Sequence, residues 1–161
     1  MAVLMHMKID SIPGESRKKG HEAQIEIDSW TFGMSQAASV SHGGGSGAGR
    51  VQIQDMHLMK RMCKADTVLM KHCADGTHID KVVIYCEKAG GASTVEYVRI
   101  DLTQVLVTSH QVNGAVGGDE VTVGVSLNFA KYLLVYAPQA VDGIGGGTVE
   151  HGFDVAVNEA A

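Results

Sequence analysis

Apolar residues alternate with small or polar ones along much of this chain. The longest case places Val121, Val123, Val125, Leu127 and Phe129 on one face, with Thr122, Gly124, Ser126 and Asn128 between them. That period of two predicts a half-buried antiparallel strand. The run continues through Tyr132, Leu133, Leu134, Val135 and Tyr136 until Pro138, which has no N–H to give a ladder and should end it. Residues 82–87 and 94–102 flank Ala89-Gly90-Gly91-Ala92 and predict a hairpin. Further strands are expected over 3–9, 105–109 and 153–157.

Two segments change phase midway. In 24–32 the apolar positions are Ile25 and Ile27, then Trp30 and Phe32; in the next segment they are Val51 and Ile53, then Met56 and Leu58. An odd-to-even switch predicts a bulge near Asp28-Ser29 and another after Ile53, and bulges help a sheet curl. One helix is expected over 67–74, capped by Asp66, stopped at Asp75-Gly76, and packed through Leu69, Met70 and Cys73. The fold class is therefore mainly β: a curved antiparallel β-barrel or sandwich with one short flanking α-helix. No composition break divides the chain, so residues 1–161 are read as a single domain.

Composition narrows the function classes. Twenty glycines in 161 residues are well above the usual ~7%, and two prolines fall below the usual ~5%, which favours short strands and loops. A formal charge of −5 argues against a general nucleic-acid grip, since the only basic cluster is Arg17-Lys18-Lys19. No apolar stretch approaches the ~20 residues of a membrane-spanning helix, and the opening MAVLMHMKID lacks a signal-peptide pattern. Cys63, Cys73 and Cys86 are an odd, widely spaced set that writes no disulfide framework. Synthesis in the cytoplasm with reduced thiols is the expectation.

Catalytic and metal chemistry finds little support. Gly44 and Gly49 have phosphate-loop spacing, but Arg50-Val51 stands where lysine and a hydroxyl residue are needed, and a strand follows instead of a helix. Ser46 has Gly44 before it but Ala48 after it, so no nucleophile elbow is formed. His72-Cys73 with His78 is the densest ligand-type group, yet its spacing matches no metal motif. No catalytic residue, metal or cofactor is expected. Trp30 reads as core; the eight methionines read as gap-fillers in a core poor in aromatics, with an adaptable binding surface through Met56, Met59 and Met62 as the other reading.

Several stretches together resemble one family. Gly14-Glu15-Ser16, Lys19, His21, Ile25, Trp30 and Gly33-Met34-Ser35-Gln36 are similar to the N-terminal pattern of Hcp, the haemolysin-coregulated tube protein of bacterial type VI secretion. The glycine-rich loop before Val51, then Val125-Ser126-Leu127-Asn128-Phe129-Ala130 and Tyr136-Ala137-Pro138-Gln139, follow in the family's order. The resemblance spans essentially the whole chain, through joint order and spacing more than through any one motif.

That resemblance implies a structural role without enzymatic activity. The chain would form homohexameric rings that stack into a tube and carry and stabilise effector proteins in the lumen. Its other partners would be the contractile sheath and spike-tip proteins, with no nucleic acid and no membrane insertion, and it would be secreted without a cleaved signal peptide. Thr31, opposite in phase to Trp30 and Phe32, would then be a cargo-contacting residue of the inner wall. The loop Gly43, Gly44, Gly45, Ser46, Gly47, Ala48, Gly49 and Arg50 would cross to a neighbouring subunit. Two other classes stay open on the residues alone: a monomeric β-barrel that binds a small ligand, and a hydrolase assembled from distant strands.

Overall fold

The computed structural model describes residues 3–37, 49–90, 93–139 and 147–161. Its centre is a hairpin of two long strands, β8 (Ser93–Asn113) and β9 (Thr122–Tyr136), paired antiparallel from Val98↔Tyr136 to Asn113↔Thr122. The expected strands at 94–102 and 105–109 are thus one element. A positive φ of 51° at Gln104 and a register shift between Val107 and Ser109 reset its phase without ending it. β9 does the same between Phe129 and Tyr132, both buried. Val121, expected on the apolar face, lies before the strand and is exposed.

β7 (Ile79–Gly90) pairs with β8, and β1 (Leu4–Lys8) pairs with β7 through Met7↔Ile84. The other edge of β9 is shared. Its first half takes β6 (Met56–Arg61), and its second half takes β10 (Val149–Asp154). These strands, with β2 (Ile25–Glu26), β3 (Ser29–Thr31) and β11 (Glu159–Ala160), make a sheet of nine strands among the described residues. β4 (Met34–Ser35) and β5 (Gln52–Ile53) form a separate ribbon.

The phase changes have a different origin from the bulges expected. Ile27 N–H donates to Met5 O (3.0 Å), while Asp28 N–H donates to Met59 O (2.9 Å). The chain leaves β1 and joins β6 within one residue. Segment 25–31 therefore bridges the two ends of the β1-β7-β8-β9-β6 path, so the sheet curls without forming one continuous closed ladder. The later switch is of the same kind: β5 pairs with β4, and β6 with β3 and β9.

Two other expectations are corrected. The C-terminal strand lies at 149–154, because Asp154 Oδ1 accepts from Ala156 N–H (3.0 Å) and Val157 N–H (3.3 Å) and turns the chain there. The helix, α1 (Ala65–Asp75), begins earlier than expected. Asp66 lies in its first turn, and Lys64, the N-cap, makes no side-chain cap bond. Gly76 ends the helix in the left-handed region (φ 70°), donating its N–H to His72 O. Leu69 is buried and Cys73 is partly buried, but Met70 is exposed. The inward face of the sheet is filled by Met7, Ile25, Leu58, Ile84, Leu102 and Leu127, each fully buried. The interior is a packed core.

Candidate functional site

β3 and β6 form the wall on which Thr31 sits. The register is Ser29↔Met59, Trp30↔Leu58 and Thr31↔His57. Met56, Leu58 and Lys60 of β6 are buried, while His57, Met59 and Arg61 are exposed. Trp30 is anchored inward by its Nε1–H, which donates to the Cys86 Sγ at 3.3 Å. Burial pushes the Cys86 thiol above its ordinary range, with the Trp30 bond opposing, so the group stays an uncharged packing residue. Phe32 stacks edge-on against Phe129 (5.7 Å) and Tyr132 (5.1 Å). With its two flanking rings held in the core, Thr31 faces the opposite side of the strand and is exposed, as the phase argument expected.

The outward face around Thr31 is mixed: His57 and Met59 are exposed beside it, and Arg61 further along β6 reaches Glu26, Asp28 and Glu120. His57 Nδ1 and Ser126 Oγ are 2.7 Å apart across β6 and β9. A serine bonded to histidine is the arrangement that would favour a hydrolase, but this pair lies mid-strand on an open sheet face. No acid orients the far nitrogen of His57 among the described residues. Exposed Met59 lies over Gly124, its Sδ 3.4 Å from where a Cβ would stand.

Of the glycine-rich loop, Gly43 to Ala48 lie outside the described residues, and only its end is placed. Gly49 N–H donates to Ala37 O (3.3 Å), and Gln36 Nε2 donates to Gly49 O (2.6 Å). Arg50 Nη2 donates to Val155 O (3.0 Å) in the β10–β11 turn of its own chain. The two described ends of the loop are thus held side by side on the β4–β5 ribbon. Thr31 and this loop base belong to different pieces of sheet.

Two buried charge clusters went unread in the sequence. In one, Lys60 Nζ meets Asp66 Oδ2 (2.6 Å), while Asp66 Oδ1 meets His110 Nε2 (3.1 Å). Burial pushes the Asp66 carboxyl up, but Lys60, the Cys63 N–H and His110 together hold it below its ordinary range. The signal was available: Lys60 shares its parity with Met56 and Leu58. In the other cluster, Glu87 on β7 meets both Lys18 and His21 of the loop before β2, and these side-chain hydrogen bonds overcome burial to hold its carboxyl low. Neither cluster offers a nucleophile to solvent. The His72, Cys73 and His78 group forms no metal site, and no set of three ligand-type side chains does so among the described residues.

Comparison with known proteins gives a consistent picture. The family model described as "Type VI secretion system effector, Hcp" matches residues 6–136. "Protein hcp1" of Pseudomonas aeruginosa is 41% identical over 162 residues, covering 100% of both chains. Among solved structures, Hcp1 from Salmonella typhimurium superposes with a TM-score of 0.81 at 27% identity, covering 100% of both chains. A structure described as a type six secretion system protein reaches a TM-score of 0.94 at 23% identity, covering 99% of this chain and 100% of the other, and speaks to the fold.

Proposed function

The chain belongs to the Hcp family of type VI secretion proteins, and from that premise we propose that it is a structural tube subunit. Six copies close into a ring, rings stack into a tube, and effector proteins ride in the lumen. The contractile sheath surrounds this tube, and spike-tip proteins close its end. The observation that carries the reading is the 41% identity to Protein hcp1 across the full length of both chains.

Physical features support it. A single copy exposes the apolar side chains of Met59, Met62, Val68, Met70, Val112 and Val121, which a neighbouring subunit can cover. The short outer strands β2 and β11 leave unpaired sheet edges that a neighbour can cover. A head-to-tail contact whose rotation closes makes a ring from such surfaces. Within the ring Thr31 lines the inner wall, and the loop 43–50 crosses to an adjacent subunit. The packed interior disfavours the alternative of a monomeric barrel that holds a ligand inside.

Native mass measurement tests the ring. Six copies of 17.0 kDa should travel together, with each contact near the ~800 Å² per partner of a stable interface. A monomer that persists at micromolar concentration would overturn the proposal.

A further inference from the structure

His6 and His21 lie with their rings parallel, centroids 4.6 Å apart and planes within 4°. Both are buried, at 3% and 6% exposure. His6 is on β1, where its cross-strand neighbours are Glu26 of β2 and Tyr85 of β7. His21 belongs to the loop 10–24, which folds back over β1 and β7. It is the centre of that loop's attachment: Nδ1 lies 2.8 Å from Gln24 Oε1, and Nε2 meets the Glu87 carboxylate. Lys18 reaches the other oxygen of the same carboxylate and also Thr94 Oγ1 (3.2 Å). The His6 Nδ1 is buried without a hydrogen-bond partner among the described residues.

We propose that this histidine stack is an acid-released latch that holds the loop 10–24 against β1 and β7. A proton added to His6 is buried against the face of the His21 ring, next to a ring nitrogen that has no partner among the described residues. The charges around His6 do not relieve this. Glu26 and Glu87 favour its protonation, Lys18 and His21 oppose it, and Asp28 and Arg61 line the same groove. Burial first, and His21 second, hold the His6 imidazole below its ordinary range.

A His that resists protonation only while the loop is closed favours the closed state at neutral pH. As pH falls through about 6.5 the open state takes up the proton and the closed state does not, so closure weakens. Glu87 behaves differently. Its carboxyl is held low, so its bonds survive until pH falls below the ordinary carboxylate range. The window between these two ranges belongs to His6. Release exposes the outward side of β1 and β7 and frees the basic run Arg17-Lys18-Lys19. This device does not depend on ring formation.

Hydrogen exchange with mass detection tests it on the intact purified protein. Three amides bonded within the loop report whether it keeps its latched form: Gly14 N–H to Ala23 O (2.7 Å), Ala23 N–H to Ser16 O (2.8 Å) and Ser16 N–H to Gln24 O (3.0 Å). After correction for intrinsic rate, their exchange should rise about fivefold or more between about pH 7 and about pH 5, while β8–β9 amides stay protected. His6→Phe keeps a stacking ring without the proton and should remove the rise; His6→Gln gives the same comparison if the ring variant folds poorly. Exchange that does not change with pH in the parent overturns the latch. An equal rise in parent and variants overturns it as well.

Discussion

The Lys60 ammonium and the Asp66 carboxylate meet at 2.6 Å with neither side chain exposed to solvent. Lys60 is the third inward residue of β6, and Asp66 lies in the first turn of α1, so this ion pair fastens the helix to the sheet. Lys60 Nζ also donates to Arg61 O (2.8 Å), and Asp66 Oδ2 accepts from Cys63 N–H (2.7 Å), so both charges keep hydrogen-bond partners without water. Removing one partner leaves the other charge buried. Lys60→Met should cost about 3–5 kcal/mol in denaturant unfolding, and adding Asp66→Leu should recover most of that loss. The sign with pH follows from Asp66, whose carboxyl is held low in the fold. Its stabilisation is complete above the ordinary carboxylate range and is lost as pH falls through the folded value, a slope that Asp66→Asn should flatten. A Lys60→Met protein with parental stability would refute this account.

Gly14 is the close approach on which the loop 10–24 depends. A Cβ there would stand 2.3 Å from Gln24 O, a backbone atom that cannot turn aside. Gly14→Ala should push the two arms of the loop apart and lower stability by about 1–3 kcal/mol. Thermal unfolding checks the cost. Exchange at Ser16 and Ala23 should rise with it, and unchanged protection there would show that the loop accommodates the methyl group.

Shortening the segment 43–48 should weaken assembly while leaving the β-sheet circular-dichroism spectrum intact. The described ends, Ala37 and Gly49, already hydrogen-bond each other, so the ribbon beneath needs no long connection. Ordering many glycines against a neighbour costs entropy that only an intersubunit contact repays. Native mass of the shortened protein decides it: full assembly would reduce 43–50 to an ordinary surface loop.

Thr31→Gln adds bulk to an exposed position, so stability should change by no more than about 0.5 kcal/mol. Recovery of effector proteins with the ring should fall, with the ring itself still formed. The check is co-purification of effectors with parent and variant, with native mass run on both. Equal recovery would remove Thr31 from the cargo-contacting wall and leave the tube reading standing.

The strand content, the helix and its glycine stop, and the outward face of Thr31 were all legible in local pattern. Each depends on a period or cap within a few residues: Trp30 and Phe32 share a parity that Thr31 lacks, and Gly76 supplies a left-handed stop that few other residues adopt. The joint order of short motifs, from Gly14-Glu15-Ser16 to Tyr136-Ala137-Pro138-Gln139, was enough to indicate the family that the comparisons establish. Strand partners were not legible. The switch at Ile27 and Asp28 looks like a bulge in one dimension, and only the positions of Met5 and Met59 make it a crossing between two strands. Asp66 likewise has the features of a helix cap until folding brings Lys60 and His110 to its carboxylate. Periodicity is a property of one segment and survives in the sequence. Pairing and buried charge depend on residues tens of positions apart, whose contact free energy exists only once the chain has brought them together.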